Sequence, residues 1–391
     1  MNYNFDEIII RKGSNSAKYD ALKEVFNHEG LLPMWVADMD FKVAEPIKRA
    51  IEKRMQKGIY GYTYFPDTYF KSLKNWLERR HNWKIKEDWI LHSPGVVPAL
   101  SMIVRNFTDP GDRVVIQPPV YYPFYEVVEK NNRELVKNPL KMVDGRYVMD
   151  YEDLLAKIDE KVKLILLCSP HNPGGRVWER EELKRLGEIC LDNDILVVSD
   201  EIHQDLIFRG NTHIPFASIS RDFLYNSITC TAPSKTFNIP GLKTSFVILP
   251  DKTHYNIFNQ ALETLHLSSN NTFGIVAAEA AYNEGDDWLD QLLKYLEGNL
   301  TFLLNYFEEE IPAVKPMIPE GTYLVWLDFS NLNLSREELD KLLLEEAEVA
   351  LDPGHWFGEE GDGFMRINIA CPRVILKEGL DRIKKAVLKI N

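Results

Sequence analysis

The sequence is poor in cysteine: Cys168, Cys190, Cys230 and Cys371 stand far apart among 391 residues, with no C-x-x-C pair. That spacing excludes a zinc knuckle and a secreted disulfide framework, and the four thiols read as reduced and buried. No metal site is expected. Long hydrophobic runs are also missing, since charge interrupts each one well short of the roughly 20 apolar residues that span a bilayer. The opening stretch MNYNFDEIII lacks a basic n-region, a long apolar h-region and a small-residue cleavage site. No signal peptide is read there, and a cytoplasmic location is expected. Positive charge is in deficit: 46 Lys+Arg against 59 Asp+Glu leave −13, which argues against a broad nucleic-acid or anionic-membrane partner. Repeats, low-complexity tracts and Ser/Gly linkers are absent. What the chain does hold is core-forming side chain, 45% hydrophobic and 11% aromatic, and a chain this long buries about three quarters of its unfolded surface.

Short, near-continuous apolar runs at 113–117, 163–168, 195–199, 227–231 and 245–249 fit strands buried on both faces. Between two of them, residues 181–191 place Leu183, Leu186 and Cys190 on one helical face, a crossover between strands. This βαβ rhythm predicts an α/β fold with a mostly parallel sheet sandwiched by helices. The last hundred residues read as a smaller α+β lobe. It has strands at 323–329 and 365–370, a helix near 335–347, and a final helix striped by Leu376, Leu380, Ile383 and Val387. The expected division is 1–45 and 286–391 for the small domain and 46–285 for the large one. In open α/β sheets the ligand lies at the carboxyl ends of the strands, so residues just after 117, 168, 199 and 231 are the ones to read.

Lys235 follows the run at 227–231 beside Ser234. A lysine at a buried strand end can be desolvated and its pKa lowered, as Schiff-base chemistry requires. Taken alone it reads as a solvated loop lysine; the company it keeps reverses that reading. Asp200, at the next strand end, suits a protonated heterocyclic nitrogen, and His203 could donate to a ring oxygen. A helix cap and a structural histidine are the alternatives. Asn172 lies in the turn Ser169-Pro170-His171-Asn172-Pro173-Gly174-Gly175. Gly95 precedes a helix whose Val96 and Val97 amides would point at an anion. Tyr121, in Pro118-Pro119-Val120-Tyr121-Tyr122-Pro123, offers a face for a flat ring, or plain packing.

Together with Arg366 and in this order along the chain, these residues resemble the fold-type I pyridoxal-phosphate enzymes. Within that superfamily, the stretches 33–41, 200–203, 232–238 and 366–373 resemble the MalY/PatB carbon–sulfur lyases. The resemblance spans nearly the whole chain and implies a pyridoxal 5'-phosphate cofactor. Lys235 would hold the cofactor covalently and then act as the base at the substrate Cα, while Asp200 would keep the ring nitrogen protonated. Asn172 and His203 would bind the phenolic oxygen, with Tyr121 and Ile202 on the two ring faces. Val96, Val97, Ser234 and Lys243 would hold the phosphate. Arg366, with Ala37 and Asn172, would bind the substrate carboxylate. Tyr62 stands at the position from which the neighbouring subunit reaches the phosphate, which implies a homodimer with shared active sites. Ala232 replaces a serine common in the superfamily, so one phosphate hydroxyl is absent.

The activity implied is β-elimination from L-cystathionine or a related cysteine S-conjugate, giving a thiol, pyruvate and ammonia. The alternative is an aminotransferase for neutral or aromatic amino acids. No arginine lies between Lys243 and Arg336, where dicarboxylate-specific aminotransferases keep a second carboxylate-binding one. A regulatory protein partner, a role known for a MalY-like protein, is the third reading. Trp35, Tyr64 and Trp356 are candidates for the side-chain pocket or for core packing.

Overall fold

The computed structural model describes residues 1–390. Seven strands form the main sheet: β1 (Ile90–Ser93), β2 (Arg113–Ile116), β3 (Glu134–Lys137), β4 (Val162–Cys168), β5 (Leu196–Asp200), β6 (Ser227–Thr231) and β7 (Ser245–Ile248). Their spatial order is β1-β7-β6-β5-β4-β2-β3. The five runs read from sequence are β2 and β4 to β7, all largely buried; the edge strands β1 and β3 were not read, and of the two only β3 is substantially exposed. Alternation divides their side chains. Leu164, Leu166, Leu196 and Val198 face the helix α1 (Val96–Phe107), through Leu100 and Ile103. Ile165, Leu167 and Val197 face α2 (Arg180–Asp192), through Leu183, Leu186 and Cys190. A period of two against a period of 3.6 therefore builds the three layers.

The strands β2 to β6 pair in parallel, but β7 runs antiparallel to both β6 and β1. The sequence rhythm implied no such reversal. Its cause is the connection from β6 to β7, which spends its residues on the short helix α3 (Pro233–Thr236) and a 3-10 turn at Pro240–Leu242. A parallel return needs a crossover running the length of the sheet, and these residues are taken up by turns at one end of it. The chain turns back at the carboxyl end of β6 instead, and Lys235 and Lys243 both stay at that end.

A second sheet of four strands joins β8 (Lys315–Pro316), β9 (Leu324–Asp328), β10 (Asp352–Pro353) and β11 (Phe364–Asn368), in the order β8-β9-β11-β10. It packs with a long helix, α4 (Asp286–Glu310), and with α5 (Arg373–Val387), whose stripe Leu376, Leu380, Ile383 and Val387 is buried. The helix expected near 335–347 is α-helical over Arg336–Lys341 and continues as a π-helical turn at Leu342–Glu346. The N-terminal stretch joins the same region, since Leu32–Pro33 pairs in parallel with Val349–Ala350. No helix of the described residues is long and apolar enough to cross a membrane, and all four cysteines are buried and free.

Candidate active site

The register of the main sheet brings its strand ends level: Cys168, Asp200 and Cys230 are direct neighbours on β4, β5 and β6. The turns that follow converge on a cavity of about 470 Å³ lined by Ala37, Val96, Val97, Tyr121, Asn172, Asp200, Ile202, His203, Ser234, Lys235 and Lys243. That volume is in the range of small-ligand sites.

Each wall has a local cause. Val96 and Val97 open α1, so their N–H groups have no intrahelical acceptor and form the positive end of a twelve-residue helix. Lys243 ends the 3-10 turn with φ 50°, and Ser234 lies in α3. Asp200, the last residue of β5, accepts from the Ile202 amide at 3.1 Å. Burial pushes its carboxyl up to about 7, against the downward pull of that amide and of Lys235. A cationic nitrogen arriving beside it would restore its charge. His203 Nδ1 is buried with no hydrogen-bond partner, and burial, then Lys235 and Arg366, hold the imidazole neutral. His203 itself lines the cavity, so its ring has hydrogen-bonding capacity left for a bound group. Helix amides and a lysine for a phosphate, a carboxylate for a ring nitrogen, and a lysine beside them fit pyridoxal phosphate.

Lys235 Nζ donates to the Ala37 carbonyl at 2.7 Å, and the hydroxyl of buried Tyr323 donates to the same oxygen at 2.9 Å. Burial, then the charge of Arg366, push the lysine down to about 8, against Asp38, Asp200 and Asp352. Two asparagines present that carbonyl. Asn238 binds the backbone of Met39 and Phe41, and Asn368 binds the carbonyls of Val36 and Asp38. Behind the lysine turn, buried Asp205 accepts from Thr236, Trp76 and His81 at 2.8, 2.9 and 2.7 Å.

Arg366, only 3% exposed, does not itself line the cavity but lies behind its wall residue Asn172. Its NH1 donates to Asn172 Oδ1 at 2.8 Å, and its NH2 pairs with Asp352. Sequence reading passed over Asp352, Tyr323 and Asp205, because none stands in a distinctive motif and all depend on contacts from distant segments; Asn238 closes the stretch 232–238 but was given no role of its own there. Tyr323 carried the one available signal, as the first residue of a run read as a strand. Of the sequence candidates, Tyr62 stands apart from its own chain's cavity and is fully exposed. The three specificity candidates do not line the cavity. Trp35 is buried edge-on against Phe26 with Nε1 on the Lys18 carbonyl, Trp356 stacks on Phe26, and Tyr64 is 82% exposed.

Comparison with known proteins agrees with this geometry. The family model described as aminotransferase class I and II matches residues 35–383. The chain is 49% identical to cystathionine beta-lyase PatB of Bacillus subtilis, across 98% of this chain and 100% of that protein. It is 34% identical to protein MalY of Escherichia coli, with 100% of both chains covered. Cystalysin from Treponema denticola, whose crystal structure contains a pyridoxal 5'-phosphate cofactor, superposes with a TM-score of 0.97 at 37% identity, again covering 100% of both chains.

Proposed function

This chain belongs to the class I and II aminotransferase family, and on that premise we propose that it is a pyridoxal-phosphate-dependent carbon–sulfur β-lyase. Its substrates are L-cystathionine or related cysteine S-conjugates. The cavity where Lys235, Asp200 and Asn172 meet, with Arg366 bonded to Asn172, supports a pyridoxal-phosphate enzyme; the observation that favours the lyase over the aminotransferase is the 49% identity to cystathionine beta-lyase PatB over 98% of this chain.

When bound, the cofactor supplies an electron-accepting ring that stabilises negative charge at the substrate Cα. Val96 and Val97 amides, the Ser234 hydroxyl and Lys243 hold its phosphate. Asp200 holds the proton on the ring nitrogen. Asn172 Oδ1 already accepts from Arg366, so its Nδ2 is left to donate to the phenolic oxygen, alongside neutral His203. Tyr121 and Ile202, both on the cavity wall, would pack against the ring. Arg366, with Ala37 and Asn172 beside it, takes the α-carboxylate. Lys235 would be the residue that anchors the cofactor, and as a free amine it is placed to take the Cα proton of the substrate. The Cβ–S bond breaks with its electron pair leaving on sulfur, which receives the proton Lys235 took from Cα, and one water converts the three-carbon remainder to pyruvate and ammonia.

The same reading makes the protein a cytoplasmic homodimer in which Tyr62 completes the phosphate site of the other subunit. Its support is a run of exposed apolar side chains, Ile59, Tyr60, Tyr62 and Tyr64, on a segment without regular structure.

The test is to give cofactor-loaded protein L-cystathionine with no keto acid and to assay pyruvate and free thiol together. Equal release of both at catalytic turnover is expected. No release, with amino transfer once a keto acid is added, would assign an aminotransferase instead.

A further inference from the structure

Arg366 already has an anionic partner before any substrate arrives. Asp352 and Arg366 are direct cross-strand neighbours on the antiparallel pair β10 and β11, so their side chains share one face. Both are at most 3% exposed. The remaining contacts fix the plane of the guanidinium. NH1 donates to Asn172 at 2.8 Å, NH2 reaches the Trp35 carbonyl at 3.5 Å, and the Phe357 ring centroid lies 4.8 Å from Cζ. Nε is buried and has no partner.

A carboxylate ligand at Arg366 must share this single positive charge with the Asp352 carboxylate. Two carboxylates on one guanidinium repel each other in a buried site. A ligand attached at a second point tolerates that repulsion, because its carboxylate is delivered locally once its amine is engaged. A ligand that offers only a carboxylate does not.

We propose that Asp352 is the internal counter-ion of Arg366: it orients the guanidinium for an incoming α-amino acid and, by competing for it, keeps the site from retaining simple carboxylates, including the pyruvate product. This rests on the β-lyase reading for its biological sense, since that reaction leaves a carboxylate product without the amine that held the substrate. Asp352 is thus a positioning residue, with no contact to the reacting atoms.

The measurement is calorimetric binding of propionate, an unreactive carboxylate, to the cofactor-loaded protein and to its Asp352→Asn variant. Asn keeps the shape and an acceptor oxygen while removing the charge. Propionate binding about tenfold tighter in D352N is expected, together with a lower KM for cystathionine and stronger inhibition by pyruvate. Unchanged or weaker propionate binding overturns the proposal, because a purely structural strut predicts that result. Asp352→Ser provides a second neutral variant, and failure of both to fold would identify a strut and equally overturn it. Propionate binding needs no turnover, so a wild-type protein that releases no thiol from cystathionine sinks the β-lyase reading while leaving the Asp352 comparison decisive.

Discussion

The amine of Lys235 rests on the Ala37 carbonyl at 2.7 Å, in a pocket where burial and Arg366 hold its pKa near 8 instead of 10.5. The sign follows directly: a lowered pKa leaves the neutral, nucleophilic amine dominant above about pH 8. Cofactor uptake by cofactor-free protein should therefore accelerate through a midpoint near pH 8 and then level off, followed by the rise of visible absorbance in a stopped-flow pH series. A rate still climbing towards pH 10 would mean that Lys235 is not desolvated as the geometry requires. Lys235→Ala should abolish both the covalent absorbance and turnover. At this scale the sequence disclosed a lysine at a strand end. Its hydrogen-bond acceptor, contributed by a residue almost two hundred positions earlier, was not legible there.

Elements obey their periodicity until a neighbour intervenes, and Gly187 shows where one does. It sits inside α2, where alanine would ordinarily favour the helix by about 1 kcal/mol. A Cβ at Gly187, however, would lie 2.4 Å from ring carbons of Phe223. That ring is itself stacked on Phe216 at 5.2 Å and 6°, so it has little room to yield. Gly187→Ala should accordingly lower stability, by about 1–3 kcal/mol as overpacked cores do, read as a lower urea midpoint. A raised midpoint would show that propensity outweighs packing here. The stripe Leu183, Leu186 and Cys190 was legible from spacing, and so were the buried strands. The antiparallel course of β7 was not, because periodicity carries no direction and the reversal depends on how residues 232–244 are spent.

For the whole molecule, the exposed Ile59 to Tyr64 segment marks the proposed subunit contact, and with it sharing of sites. If Tyr62 serves the other subunit, Lys235→Ala and Tyr62→Ala proteins mixed after co-refolding should regain activity. Half the dimers are then hybrids, and each hybrid has one complete site, so about a quarter of wild-type turnover is expected at limiting cofactor. No regain above the sum of the separate variants would place Tyr62 outside the neighbouring site.

By itself the sequence determined the layered α/β class, the strands and helices whose apolar periods are unbroken, and the residues at strand ends, because these depend on local spacing alone. Lys235, Asp200 and Asn172 were readable for that reason, whereas Arg366, inside β11, was pointed to only by the family resemblance. Only the tertiary structure decided the direction of β7, the Ala37 carbonyl beneath Lys235 and the Asp352 charge against Arg366. Each of these depends on segments distant in sequence meeting in space, and a meeting of that kind leaves no periodic trace along the chain.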